Sequence, residues 1–212
     1  MLKGIKHIIF DLGGVLLNIN PDLTLQALEN LGIPDFKETY QKLQEQSVFD
    51  DLETGHLTTP DFLEAVKTTA AVSLRDEDII AAWNILLLDF PLRRLQILQQ
   101  LQLYYDLVLL SNTNEIHEAA FNKILHQSHG IPNIGVFFDK VYYSHKLGMR
   151  KPNPSIFERV LNDCGFTPQH TLFIDDSAAN IAAADALGIQ TIWLKEGMSI
   201  EKDVFLSLDG RI

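Results

Sequence analysis

Residues 171–194, TLFIDDSAANIAAADALGIQTIWL, decide the fold class of this 212-residue chain. They start with a short apolar run at 171–174, continue through an Ala-rich stretch with helical spacing at 181–187, and end in a second apolar run at 191–194. Apolar runs of this length, bounded by Asp and Gly, are typical of strands that are buried on both faces. A strand, a helix and another strand in succession predict a parallel pair joined by a right-handed crossover.

The same alternation recurs in the rest of the chain. Three more apolar runs read as buried strands: Ile5 to Phe10, Asp106 to Leu110 and Val136 to Tyr143. Helical spacing of apolar residues lies between them, with a leucine at every third position from Leu92 to Leu101 and an apolar face within 156–164. This pattern predicts an α/β fold in which a mostly parallel sheet is flanked by helices.

Residues 18–90 differ from that pattern, because they contain helical periodicity and no evident strand. Four helices can be drawn there, at about Pro21 to Leu31, Phe36 to Phe49, Pro60 to Thr69 and Asp76 to Leu88. An all-helical stretch that follows the first strand predicts an inserted helical cap subdomain. We therefore expect a core built from residues 1–17 and 91–212, with the cap formed by residues 18–90.

Composition excludes several classes of partner and site. The chain has 17 Lys and Arg against 28 Asp and Glu, a formal net charge of −11, which argues against nucleic acid and anionic membranes. A single cysteine, Cys164, excludes a disulfide framework and multi-cysteine metal sites. No apolar run is long enough to cross a bilayer, and Asp11 interrupts the first run where a secretory signal would be apolar. These features predict a cytoplasmic protein. The oligomeric state stays open.

Chemistry is expected at the carboxyl ends of the strands, where open α/β sheets bind ligands. Asp11 follows the first predicted strand, Ser111 follows the second, and Asp175 and Asp176 follow the strand at 171–174. Each acid alone is more often a turn or cap residue. Adjacent carboxylates repel each other unless a cation lies between them, so this set predicts a hard divalent metal, Mg²⁺.

Lys151 stands just before a predicted helix start, where Asn153 and Pro154 suit the N-cap and the first helical position. An ammonium beside a helix N-terminus favours an anion, although a solvated loop lysine is the plainer reading. Ser111 either caps the following helix or, with the backbone N–H of Asn112, holds a phosphoryl oxygen. Gly13 and Gly14 lack the third glycine of a dinucleotide fingerprint and instead suit a tight turn near a ligand.

Taken together, these residues resemble the haloacid dehalogenase (HAD) superfamily over nearly the whole chain. The matching segments are FDLGGVL at 10–16, LLSNTN at 109–114, LGMRKPNPSIF at 147–157 and FIDDSAANIAAADALGI at 173–189. The resemblance implies a Rossmann-like core with a cap inserted after the first strand. It also implies a phosphorylated small molecule as substrate and Mg²⁺ as cofactor.

The resemblance further implies a role for each site residue. Asp11 would be the nucleophile that forms an aspartyl-phosphate. The metal would be held by Asp11, the Gly13 carbonyl and Asp176, with Asp175 ligating directly or through water. The phosphoryl oxygens would be bound by Ser111, Asn112 and Lys151, and Arg150 would either add positive charge near the substrate or be a surface residue.

Gly13 departs from the family pattern, because family phosphatases usually carry there a second Asp that acts as general acid and base. Such help is worth roughly 10²- to 10⁴-fold in rate. An anomeric sugar phosphate needs less of it, and the chain most resembles the bacterial branch that includes α-glucose 1-phosphate phosphatases. Two alternatives stay open: a HAD-like scaffold that binds a ligand with little or no turnover, and a 2-haloacid dehalogenase, against which Gly13 and the retained acid pair count.

Overall fold

Five short strands form one parallel sheet, with spatial order β3-β2-β1-β4-β5. The computed structural model describes residues 2–206. The strands are β1 His7–Phe10, β2 Asp106–Ser111, β3 Lys140–Tyr143, β4 Thr171–Asp175 and β5 Gln190–Trp193. In register, Phe10 of β1 lies beside Leu109 of β2 and Ile174 of β4. The α/β prediction is thereby confirmed.

Ten helices accompany the sheet in the described part of the chain. They are α1 Pro21–Glu29, α2 Phe36–Glu45, α3 Val48–Glu53, α4 Thr59–Ala70, α5 Asp76–Asn84, α6 Leu92–Leu101, α7 Glu115–His129, α8 Ser144–Leu147, α9 Pro154–Cys164 and α10 Ala178–Ala186. Short 3₁₀ turns cover Ile134–Phe137 and Pro168–His170, and a π-helical turn covers Ile200–Val204. No helix within residues 2–206 combines the length and apolar character needed to cross a bilayer.

Alternate residues of each strand face opposite sides of the sheet, and both sides are covered. Ile8 and Phe10 pack in a core with side chains of α6 and α7, whereas Ile9 packs on the other side against α9 and α10. Burial on both faces explains why the strands read as continuous apolar runs rather than as alternating ones. The sheet therefore presents its polar residues at its ends.

Helices α1 to α5 lie in the segment predicted to be the cap, which is called the cap below, and they pack around a hydrophobic cluster that contains Phe62, Ile79 and Trp83 together with Ile116 of α7. The sequence predicted four helices here, and the structure has five. The predicted helix from Phe36 to Phe49 is interrupted because Ser47 adopts a left-handed backbone conformation, with φ of 58°. A new helix, α3, starts at the next residue.

Two other predicted elements end or begin at different residues. The predicted helix from Asp76 to Leu88 stops at Asn84 because residues 86–89 turn back and pair with residues 18–20, the other connection between cap and core. The predicted strand from Val136 begins only at Lys140, since the Asn133 side chain accepts the Gly135 N–H at 2.9 Å and starts a 3₁₀ turn. Helix α8, directly after β3, was not predicted.

Candidate active site

The carboxyl edge of the sheet brings together residues that are far apart in the sequence. Asp11 directly follows β1 and donates its backbone N–H to the carbonyl of Ile174 in β4 at 3.0 Å. Asp175 is the last residue of β4, and Ser111 is the last residue of β2. The central position of β1 between β2 and β4 therefore sets Asp11 between the other two strand ends.

Lys151 lies at the centre of this edge, between two carboxylates. Its Nζ is 2.8 Å from Asp11 Oδ1 and 2.7 Å from Asp175 Oδ2. Lys151 is 1% exposed, Asp175 0% and Asp11 8%. The solvated-loop reading of Lys151 is therefore wrong, because the loop before α9 folds its ammonium into the interior. Burial favours the neutral amine, but Asp11 and Asp175 nevertheless hold the pKa of Lys151 above its ordinary value.

Asp175 has protein partners on both of its carboxylate oxygens. Besides the ammonium of Lys151, it accepts the backbone N–H of Ser177 at 2.7 Å and the side-chain amide of Asn180 at 3.0 and 3.1 Å. Sequence reasoning missed Asn180. The signal was its position in the first turn of α10, three residues after the N-cap Ser177, where side chains reach back to the strand end.

Three carboxylates meet at the edge and suit a divalent cation. Asp11, Asp175 and Asp176 each offer an oxygen atom, and these atoms lie within 4.8 Å of one another. Lys151 supplies one positive charge against three negative ones, so two negative charges are left to balance. Burial raises the pKa of Asp11 to about 7 despite the opposing attraction of Lys151, as expected where positive charge is short. Hard oxygen ligands and this charge fit Mg²⁺.

The two glycines after Asp11 have different reasons to be glycine. Gly14 has φ of +73°, and a Cβ there would lie 2.1 Å from Asp176 Oδ2. The backbone at Gly14 thus approaches the carboxylate more closely than any side chain would allow. At Gly13 a Cβ would meet only the end of the Ile19 side chain, at 3.2 Å. The sequence predicted a tight turn near a ligand at both glycines. Only at Gly14 does the backbone lie so close to the Asp176 carboxylate that a side chain would not fit.

Asn112 has a side-chain role that the sequence did not reveal. Its amide Nδ2 donates to the Lys151 carbonyl at 2.8 Å, and its Oδ1 accepts the Lys151 N–H at 2.9 Å. This pair of bonds fixes the backbone of the loop that carries Lys151. Ser111 is buried at the start of the same turn and does not cap α7, because Asn114 is the N-cap.

The start of α9 is as predicted. Asn153 is the N-cap, its Oδ1 accepts the Ser155 N–H at 3.0 Å, and Pro154 is the first helical residue. The cap therefore determines where the preceding loop enters the helix, and so where Lys151 stands.

Arg150 connects the core to the cap. Its guanidinium forms an ion pair with Asp50, and its Nη2 lies 3.1 Å from Glu53 Oε2; both acids belong to α3. The sequence allowed two roles for Arg150, near the substrate or at the surface. The structure shows a further one, in which two acids of α3 offset its charge. Burial raises the pKa of Glu53, although Arg150 and the nearby Lys151 lower it. Glu53 is therefore within electrostatic reach of the active-site lysine.

Comparison with known proteins agrees with this geometry. The family model for haloacid dehalogenase-like hydrolases matches residues 5–188. A D-ribitol-5-phosphate phosphatase from Bacteroides thetaiotaomicron is 32% identical over 97% of this chain and 100% of its own length. A HAD family enzyme from the same organism, solved with magnesium and inorganic phosphate, has 35% identity and a TM-score of 0.83, covering 91% of this chain and 96% of the other.

A HAD-like hydrolase from Porphyromonas gingivalis, with 32% identity and a TM-score of 0.81, covers 91% of this chain and 92% of its own. These relatives include a phosphatase and span essentially the whole chain. Magnesium in the structure of one relative agrees with the carboxylate cluster found here. The chain therefore belongs to the haloacid dehalogenase superfamily of hydrolases and is a phosphatase of that family.

Proposed function

We propose that this phosphatase hydrolyses the phosphate monoester of a small sugar or polyol, with Mg²⁺ as its cofactor and Asp11 as its nucleophile. The observation that carries the proposal is the buried Lys151 ammonium held between Asp11 and Asp175, beside Asp176. The similarity to a D-ribitol-5-phosphate phosphatase supports ribitol 5-phosphate as the first substrate to test. Glucose 1-phosphate is the second.

The metal would be held by Asp11, Asp176 and the Gly13 carbonyl. Asp175 would act through a water or by holding Lys151, which its two occupied oxygens favour over direct ligation. When bound, the ion offsets negative charge on the transferring phosphoryl group. Although they are adjacent in sequence, Asp176 would thus bind the metal directly, whereas Asp175 would position Lys151 or a metal-bound water.

Asp11 is arranged to attack through one oxygen. Lys151 binds its Oδ1, which orients the carboxylate so that Oδ2 would be the oxygen that attacks phosphorus. As the new Asp11–phosphorus bond forms, the bond to the leaving oxygen breaks, and water later hydrolyses the aspartyl-phosphate. Lys151, the Ser111 hydroxyl and the Asn112 N–H would bind the phosphoryl oxygens, where fixed donors stabilise the charge of the transition state.

Gly13 takes no part in proton transfer, since it has no side chain. Ile19 Cδ1 would lie 3.2 Å from a Cβ at this position, so an apolar group occupies the neighbourhood where the family's usual second Asp would project. The leaving group is therefore either protonated by another source or good enough to leave without a proton, which keeps an anomeric sugar phosphate among the substrates to test.

The test measures phosphate release from ribitol 5-phosphate, glucose 1-phosphate and p-nitrophenyl phosphate, with Mg²⁺ and with chelator. We expect Mg²⁺-dependent release, and a loss of roughly 10⁴-fold or more in Asp11→Asn, the scale seen when a covalent nucleophile is removed. Asp185→Asn, an exposed acid on α10, is the matched control and should retain activity.

Two results would contradict this function. Binding of phosphorylated ligands without release of phosphate from any of them would favour a binding scaffold. Chloride release from a 2-haloacid that persists in chelator would favour a dehalogenase.

A further inference from the structure

Buried polar atoms without partners concentrate where the cap meets the core. Among residues 2–206, seven buried side-chain nitrogen or oxygen atoms have no hydrogen-bond partner. Four of them lie on this seam: Glu53 Oε2, Trp83 Nε1, Asn114 Nδ2 and Arg150 Nε. Folded proteins leave few such atoms, and each calls for an explanation. Glu53 and Arg150 at least attract each other as an ion pair, which leaves Trp83 and Asn114 unexplained.

Trp83 and Asn114 are both almost completely buried, with 9% and 0% exposure. Their free atoms are N–H donors, so what is missing is an acceptor in each case. No acceptor atom among the described residues forms a hydrogen bond with either donor. The seam is thus short of acceptor oxygens.

Neighbouring contacts hold both donors in place. Asn114 Oδ1 accepts the backbone N–H of His117 at 3.0 Å, which fixes the plane of the Asn114 amide. The Trp83 ring stacks on the His117 ring, with centroids 5.3 Å apart and planes 14° apart. His117 Nδ1 lies 3.0 Å from Asn84 Oδ1, so His117 itself is fixed from both sides. The two donors therefore belong to one junction between α5 and the first turn of α7.

This junction is near the phosphoryl-binding turn. Asn114 follows Ser111 by three residues, so their Cα atoms are at most about 11 Å apart, given about 3.6 Å per extended residue. A phosphorylated chain of five or six carbons can span such a distance. A substrate whose phosphate is bound near Ser111 is thus long enough to extend as far as Asn114.

We propose that Trp83 and Asn114 form the leaving-group subsite of this enzyme, in which their N–H groups donate to hydroxyl oxygens of a polyhydroxylated substrate. The inference rests on the proposed function and adds the residues that recognise the substrate. The two side chains contact the part of the substrate that does not react, so they determine specificity and are not catalytic.

The test compares kcat and KM for ribitol 5-phosphate and for p-nitrophenyl phosphate, which has no hydroxyl groups on its leaving group. Trp83→Phe removes the N–H and keeps an aromatic ring on His117. Asn114→Asp removes the donor and keeps an N-cap oxygen for α7. In each variant we expect the ratio of kcat/KM for ribitol 5-phosphate to that for p-nitrophenyl phosphate to fall about 2- to 13-fold, mainly through KM, the range for one neutral hydrogen bond.

The matched control is Tyr40→Phe, which removes one hydroxyl group from the same run of aromatic rings: the Tyr40 ring is 5.0 Å from that of Phe49, which in turn stacks on Trp83. Its ratio should not change. An unchanged ratio in both Trp83→Phe and Asn114→Asp overturns the subsite, as does an equal change in Tyr40→Phe.

Calorimetric binding of ribitol 5-phosphate separates this inference from the proposed function. If the wild-type protein turned over neither substrate, the proposed function would fail. Weaker binding by Trp83→Phe than by wild type would still support the subsite, whereas equal or absent binding would overturn it.

Discussion

The catalytic edge of the sheet and the seam between cap and core differ in whether their buried polar atoms have partners within the protein. At the edge, Asp175 has partners for both oxygens before any ligand arrives, and the Lys151 ammonium pairs with Asp11 and Asp175 at once. At the seam, the N–H groups of Trp83 and Asn114 are equally buried and have no acceptor. The buried acids Asp11 and Asp175 thus have hydrogen-bond or ion-pair partners within the protein, whereas the two seam donors have none among the described residues.

The difference separates reaction chemistry from recognition. Fixed charges and donors accelerate a reaction because they need no reorganisation when charge develops. Unpaired donors cost stability, about 1–3 kcal/mol for each buried group, and are useful only if a ligand pairs with them. Three predictions test this difference, in order of decreasing effect on stability.

The largest effect on stability is expected from Lys151→Met. It removes the one ammonium between Asp11 and Asp175 and should lower the free energy of unfolding by about 3–5 kcal/mol, because an uncompensated buried charge is left behind. Urea unfolding followed by circular dichroism measures the loss. Mg²⁺ should restore part of it by supplying positive charge to the same carboxylates.

Lys146→Met is the control for this prediction, since Lys146 pairs with Glu118 at the surface. Its effect should stay within about 0.5 kcal/mol. Equal losses in the two variants would mean that the edge is not held together by its buried charge.

A smaller effect concerns His117, which supports both seam donors. Burial lowers the pKa of His117 to about 4 from 6.5. The unfolded chain therefore takes up a proton as the pH falls below 6.5, whereas the folded protein does so only near pH 4. Folding stability contributed by this group is present above pH 6.5 and is lost as the pH falls, by about 2 kcal/mol between pH 7 and pH 5.

Urea unfolding at several pH values measures this slope. His117→Gln should flatten it, and His126→Gln, an exposed histidine on α7, should leave it unchanged. A slope that survives in His117→Gln would show that the junction beneath Trp83 does not hold a neutral histidine.

The smallest effect is expected at the ion pair that joins α3 to the loop before α9. Arg150→Gln should cost no more than about 1 kcal/mol, because the Arg150 side chain is 33% exposed and water screens its pairs with Asp50 and Glu53. A double-mutant cycle with Glu53→Gln measures the coupling. Arg159→Gln, which loses an exposed pair with Asp163, provides the scale; a coupling above 3 kcal/mol would place Arg150 with the buried charges of the edge.

Most residues of the catalytic edge could be predicted, because the end of a strand can be recognised from its neighbours in the sequence. Asp11, Ser111 and Asp175 follow apolar runs, and parallel strands bring their carboxyl ends to one edge whatever the rest of the chain does. The N-cap at Asn153 is local in the same sense. The break of the predicted helix at Ser47 was not visible, because nothing in the residue type requires its left-handed backbone.

The α/β class, the helices between the first two strands and the residues at the strand ends could be predicted, since periodicity and strand polarity depend on neighbours in the chain. Other contacts became visible only in the folded chain: the Asn112 side chain holds the Lys151 backbone, Asn180 donates to Asp175, and Arg150 pairs with Glu53 of the cap. That Trp83 and Asn114 meet in one junction with free donors also became visible only there. These contacts join residues distant in sequence, and their geometry follows from how the cap packs on the core, which no local pattern encodes.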